Sequence, residues 1–116
     1  MLGLTFKENC PDTRNSKVDD IIKRLNEYGV NPIVVDPWAS EMDALRDYGV
    51  TLTKIDDVKD ADCVIVAVAH NEFKTLSLDE IKKLYSDAKT GKVLIDVKGL
   101  YKVDDLKKSE LIWWRL

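Results

Sequence analysis

The stretch GLTFKENCPDTRNS, residues 3–16, decides the fold. A short apolar run at residues 2–6 stops abruptly in a polar loop that holds two cations, Lys7 and Arg14, and a turn-forming Pro11-Asp12 pair. Ser16 then opens a segment of helical periodicity. Strand, polar loop and helix start in succession form the geometry that receives anions in α/β folds, because the first N–H groups of a helix lack partners and carry the positive end of its dipole. Lysine and arginine nearby add charge-assisted hydrogen bonds. The stretch therefore predicts an anion or nucleotide-phosphate loop at the carboxyl edge of a parallel sheet. It departs from the dinucleotide fingerprint, since Gly3 stands alone where G-x-G-x-x-G needs three glycines. An ordinary βα loop with solvated charges is the plainer reading of the same spacing.

Outward from this loop, strands and helices alternate. Val18, Ile21, Ile22, Leu25 and Tyr28 recur at helical spacing, which predicts a helix over residues 16–28 with Ser16 as N-cap and Gly29 as its stop. A β-branched strand over residues 31–35 runs into Asp36-Pro37. Asp36 invites comparison with the acid that holds a ribose in dinucleotide folds, but without the glycine loop it reads better as a turn and cap residue. Ser40 caps a second helix over residues 41–48, closed by Gly49, and Trp38 is expected to pack beneath it. Residues 51–53 form a short strand, and residues 55–60 an acidic turn or short helix. Residues 62–68 make the most apolar strand, expected to be central and covered on both faces, with Cys63 inside the core. That strand ends at His70, the one histidine, which has no acid, hydroxyl or metal partner at a recognisable spacing. Phe73 anchors the loop that follows. Ser77 and Glu80 form a capping box for a helix whose Ile81, Leu84 and Tyr85 face inward. A strand over residues 92–97, a short helix over residues 103–108 and an edge strand over residues 111–114 complete the chain. The alternation predicts a doubly wound parallel sheet in three α/β/α layers.

The 116 residues fit one small domain, and 45% hydrophobic with 34% charged content is ordinary for a globular chain. A net charge of −3 argues against a general nucleic-acid surface, though not against a local cationic pocket. The longest apolar run, residues 64–69, is too short to span a membrane, and no signal-peptide pattern is present. Two cysteines make no disulfide framework, so a reducing cytoplasm is the expected setting. Cys10 reads as a free loop thiol rather than a nucleophile.

Several segments together resemble a known family. Gly3-Leu4-Thr5-Phe6-Lys7 followed by Asp12-Thr13-Arg14-Asn15-Ser16 is similar to the opening of the C-terminal, UDP-sugar-binding domain of the UDP-glucose/GDP-mannose dehydrogenases. Val35-Asp36-Pro37, Ala69-His70-Asn71-Glu72-Phe73, Ile95-Asp96-Val97-Lys98 and the final Trp114-Arg115-Leu116 match in order. The wording around residues 7–15 and at Asp36-Pro37-Trp38 most resembles the branch that oxidises UDP-N-acetylhexosamines.

The resemblance implies a Rossmann-like domain with its first strand truncated, because Met1 lies almost inside that strand, and hence a piece of a longer enzyme. Such enzymes oxidise the C6 alcohol of a nucleotide sugar to a carboxylate for polysaccharide and capsule biosynthesis, using two NAD molecules in succession and a cysteine thiolate. The implied N-terminal NAD domain, the helical middle region that makes a homodimer, and the catalytic cysteine lie outside this chain, which alone should not turn over. By resemblance Phe6 and Lys7 contact the UDP-sugar, Arg14 reaches across the interdomain cleft to NAD, and Lys98 stands where many members carry a substrate-contacting arginine. Lysine keeps that charge and loses the planar fork. Which UDP-sugar is oxidised is left open. The rival reading is a non-catalytic Rossmann-like nucleotide-binding or regulatory module. A phospho-acceptor receiver domain fits poorly, since the first loop offers Lys7 and Glu8 rather than an acidic cluster, and the central strand ends at His70.

Overall fold

The computed structural model describes residues 1–88 and 90–116. Three strands form a wholly parallel ladder: β1 (Cys63–Val66), β2 (Val93–Asp96) and β3 (Ile112–Arg115), in spatial order β1-β2-β3. Isolated parallel bridges continue the sheet past β1. Leu2 pairs with both Val66 and Val35, and Val34 pairs with Leu52. The amide of Leu2 donates to the Ile65 carbonyl and that of Gly3 to the Val35 carbonyl, so the first segment lies between its two neighbours. Read across, the sheet runs 52, 34–35, 2, β1, β2, β3. Numbered along the chain this is the order 3-2-1-4-5-6, that of a doubly wound Rossmann-like sheet, with its topological switch point between residue 2 and β1.

Among the described residues five α-helices and a 3-10 turn connect these positions. The helices are α1 (Val18–Glu27), α2 (Glu41–Tyr48), α3 (Asn71–Lys74), α4 (Leu78–Lys82) and α5 (Val103–Lys108), and the turn is Ile55–Asp57. The predicted caps of α2 and α4 are borne out. Ser40 accepts from the Asp43 amide, Ser77 accepts from the Glu80 amide, and Gly49 closes α2 in the left-handed region. Ser16 behaves differently. Helix α1 starts two residues later, and the Ser16 hydroxyl donates to the Leu4 carbonyl while accepting from the Val18 amide, which welds the helix start to the first strand.

Two apolar clusters cover the sheet. Val18 and Ile22 of α1 and Ala44 of α2 pack with Leu4, Val34, Ala67 and Val68. Phe73, Ile81 and Leu106, from α3, α4 and α5, pack with Leu2, Val35, Val64, Val66 and Leu94 on the other side. Each fully buried valine, leucine, isoleucine or phenylalanine among them contributes roughly 1.5–3 kcal/mol of transfer free energy. The expectation that β1 is covered on both faces fails. Its burial alternates, with Val64 and Val66 buried but Cys63 exposed and Ile65 half-buried. The register places Cys63 beside Val93 and Ile112, and Ile65 beside Ile95 and Trp114, on the face that α1 and α2 leave open. Cys63 is therefore a surface thiol and not a core residue.

Gly3 explains how the switch point opens. Leu2 and Leu4 would share a face in a regular strand, yet they belong to opposite clusters. Gly3 turns the chain with φ +103°, and an added Cβ would sit 2.5 Å from the Val68 Cβ. Only glycine permits both that backbone and that approach.

Candidate functional site at the switch point

Beyond the carboxyl ends of the strands, residues 4–16 meet the ends of the two neighbouring segments, at Asp36 and His70. Both are buried. Asp36 Oδ2 accepts from the Leu4 amide at 2.6 Å, the Thr5 amide at 3.0 Å and His70 Nε2 at 3.0 Å. Its Oδ1 accepts from the Trp38 and Ala39 amides at 2.8 and 3.0 Å. Burial alone would raise the Asp36 pKa; His70 and the backbone donors at Leu4, Thr5 and Trp38 outweigh it and hold the carboxyl below its ordinary 3.8.

The preference for Asp36 as turn and cap residue is thus upheld, and His70, for which sequence spacing shows no partner, has an acid and a hydroxyl beside it. His70 is fully buried and touches Asp36, Thr5 and the Asn9 amide. The Trp38 ring, expected beneath α2, stacks on the imidazole at 6.2 Å and 24°, and its indole N–H donates to Glu72 at 2.9 Å. Sequence spacing hides this cluster because Asp36 and His70 lie 34 positions apart. Strand order exposes it, since the segments ending in these residues flank the first segment on either side.

The polar loop is held at both ends. The Phe6 amide donates to the Asp12 carbonyl at its neck. On one side Asn9 and Asn71 exchange two hydrogen bonds. On the other, Thr13 donates to Asp47, and the Tyr48 hydroxyl donates to the Thr13 carbonyl and accepts from the Ser16 amide. Phe6 and Lys7 stand exposed on the span between. Arg14 is on the same loop and also exposed, and its guanidinium grips the Asp12 carboxylate at 3.0 and 3.1 Å. That pairing lowers the Asp12 pKa and raises that of Arg14. Lys98 lies apart from these three, exposed in the turn after β2. Among the described residues neither the Lys7 nor the Lys98 ammonium forms an ion pair. Cys10 is a half-buried free thiol in the loop.

Two features narrow what this edge can bind. The start of α1 is partly closed to anions, because Ser16 takes the Val18 amide and Asp19 and Asp20 occupy the first turn. Asp36 is saturated by five donors of its own chain and has no lone pair directed at a ribose. Together with the missing glycines, this makes the switch point a poor fit for a dinucleotide. A separate cleft of about 420 Å³ opens beside residues 35–36, between Leu52, Ile55, Phe73 and Leu76, and none of Phe6, Lys7, Arg14 or Lys98 lines it.

Sheet order, switch-point crevice and polar first loop define a Rossmann-like α/β domain whose exposed cations lie at the carboxyl edge. The sequence model of the UDP-glucose/GDP-mannose dehydrogenase family, UDP binding domain, matches residues 1–103. The chain belongs to that family. It is 46% identical over 111 residues to a UDP-N-acetyl-D-glucosamine 6-dehydrogenase of Pseudomonas aeruginosa, a match covering 96% of this chain and 25% of the relative. It is 39% identical over 113 residues to the protein CapL of Staphylococcus aureus, covering 97% and 26% of the two chains. Among solved structures, an NDP-N-acetyl-D-galactosaminuronic acid dehydrogenase from Methanosarcina mazei superposes with a TM-score of 0.82 at 24% identity, over 99% of this chain and 23% of that one. That likeness confirms the fold. The chain thus spans about a quarter of the length of these relatives, and the relatives' names place it beside the UDP-N-acetylhexosamine branch.

Proposed function

We propose that this chain is the UDP-sugar-binding domain of a longer, NAD-dependent dehydrogenase that oxidises the C6 alcohol of a UDP-N-acetylhexosamine to the uronic acid. The observation that carries this reading is the Phe6-Lys7 span, held at the switch point with an ammonium that pairs with no acid among the described residues, in a chain of this family. Lys7 supplies a point charge to the diphosphate or sugar, and Phe6 an exposed ring beside it. Lys98 adds a second cation from the turn after β2. The poor fit of this switch point to a dinucleotide favours NAD binding in a separate N-terminal domain. Arg14 then meets the cofactor's pyrophosphate across the cleft, exchanging Asp12 for a bidentate phosphate contact. A helical middle region completes a homodimer, and the whole enzyme works in the cytoplasm on precursors of surface polysaccharide. Among the described residues no helix is long and apolar enough to cross a membrane.

The test is NADH formation by the longer protein carrying this domain, with UDP-N-acetylglucosamine, UDP-N-acetylgalactosamine, UDP-N-acetylmannosamine and UDP-glucose. Lys7→Ala and Arg14→Ala run beside wild type. Turnover with one sugar, and a fall in kcat/KM of about tenfold or more in both variants, is the expected result. A folded protein inactive on all four sugars would favour a non-catalytic nucleotide-binding module. Wild-type rates in both variants would remove the site assignment and leave the enzyme.

A further inference from the structure

Both ring nitrogens of His70 are hydrogen-bonded, and two of its three partners, Thr5 and Asn9, flank the Phe6-Lys7 span. The Asn9 backbone N–H lies 3.0 Å from Nδ1 and can only donate, so Nδ1 carries the lone pair. The ring proton is therefore on Nε2. Nε2 faces Asp36 Oδ2 at 3.0 Å and Thr5 Oγ1 at 3.1 Å. Thr5 directs its own hydroxyl proton to the Lys7 carbonyl at 3.0 Å, so toward His70 it accepts. One neutral imidazole thus fixes the loop at Thr5, at Lys7 through Thr5, and at Asn9. The stacked Trp38 ring and the tilted Phe73 ring, at 5.6 Å and 52°, pack against the imidazole. The reciprocal pair between Asn9 and Asn71 repeats the tether one residue past the histidine.

We propose that His70 is a positioning residue. Its neutral Nε2–H tautomer sets the backbone of residues 5–9 so that Phe6 and Lys7 are presented to the nucleotide ligand, and it touches no ligand itself. This rests on the UDP-sugar reading of the loop. A histidine that only filled core volume would be replaceable by a side chain of similar size. Here the pattern of acceptor at Nδ1 and donor at Nε2 does the work, and each half can be removed separately.

The test measures UDP binding to the longer protein carrying this domain by calorimetry, and amide exchange at Asn9 by NMR. His70→Gln keeps a donor near the Nε2 position and loses the acceptor for Asn9. It is expected to raise the UDP Kd about tenfold and to speed Asn9 exchange by a similar factor while the protein stays folded. Lys7→Ala is expected to weaken UDP binding with Asn9 exchange unchanged, which separates contact from positioning. Should His70→Gln not fold, Thr5→Val decides: it keeps the volume, removes the link to Lys7, and is expected to raise Kd about threefold. Unchanged UDP affinity in folded His70→Gln, or in Thr5→Val where that variant decides, would overturn the positioning role while leaving the UDP site intact. No UDP binding by wild type would overturn the site reading first, and this inference with it.

Discussion

Asp36 and Asp96 are the same chemical device used at two reaches. Each ends a strand segment at the carboxyl edge, each is buried, and each accepts backbone N–H groups with both oxygens. Among the described residues the Asp96 carboxylate serves only its own turn, binding the amides of Leu100 and Tyr101, four and five residues on. Asp36 serves its own turn through Trp38 and Ala39 and also crosses the sheet to Leu4, Thr5 and His70. A carboxylate with local donors caps a loop. One with donors from three segments makes those segments a single mechanical unit. The Asp36 carboxylate therefore ties the loop with Lys7 to the sheet at the switch point, whereas the Asp96 carboxylate closes only the turn with Lys98, whose links to neighbouring strands run instead through the Val97 amide on the Val66 carbonyl and the Arg115 guanidinium on the Gly99 carbonyl.

The greatest difference should appear on truncating each acid. Asp36→Ala strands the Leu4 and Thr5 amides and leaves the His70 Nε2–H to Thr5 Oγ1 alone, and is expected to cost about 3–5 kcal/mol in urea unfolding. Asp96→Ala is expected to cost about 1–3 kcal/mol, with faster amide exchange confined to residues 97–101. Loosening of residues 4–9 in Asp96→Ala would dissolve the distinction.

Acid should reveal a subtler effect at Asp36. Its folded-state pKa lies below the ordinary 3.8, so the unfolded chain takes up the proton first as pH falls. The stabilisation is complete above the unfolded value and fades as pH drops through it toward the folded one. Asp36→Asn is expected to flatten the loss of stability between neutral pH and about pH 3, measured as urea midpoints. An acid limb as steep as wild type would assign the effect to other carboxylates.

Asp12 offers the weakest contrast, a half-exposed acid whose bidentate partner Arg14 is fully at the surface. Asp12→Ala is expected to leave the thermal midpoint unchanged, because solvent screens such pairs. A clear drop would mean that the Arg14 side of the loop depends on this pair as well as on Thr13 and Tyr48.

The parts of this molecule written in neighbouring residues were legible from sequence. Ser40, Ser77 and Gly49 act within four residues, and the apolar runs locate all six sheet positions, three of them only as bridges. Ser16 was misplaced because its hydroxyl answers to Leu4, twelve positions back. Cys63 was assigned to the core because a continuous apolar run does not tell a strand covered on both faces from one covered on a single face. The His70 cluster needed strand order, which no local pattern encodes. Phe6, Lys7, Arg14 and Lys98 were placed by resemblance, and geometry then distinguished them: three share a loop, and one of those three already has a partner.

The stacking of Trp38 on His70 has an optical consequence. An indole in contact with an imidazole, its N–H held by Glu72, reports small movements of that ring through the intensity and wavelength of its emission. Trp113 and Trp114 lie on β3, at the far side of the sheet. Replacing those two with phenylalanine would leave Trp38 as the single tryptophan, at the switch point. The molecule would then signal the state of its own loop in solution, with no label attached.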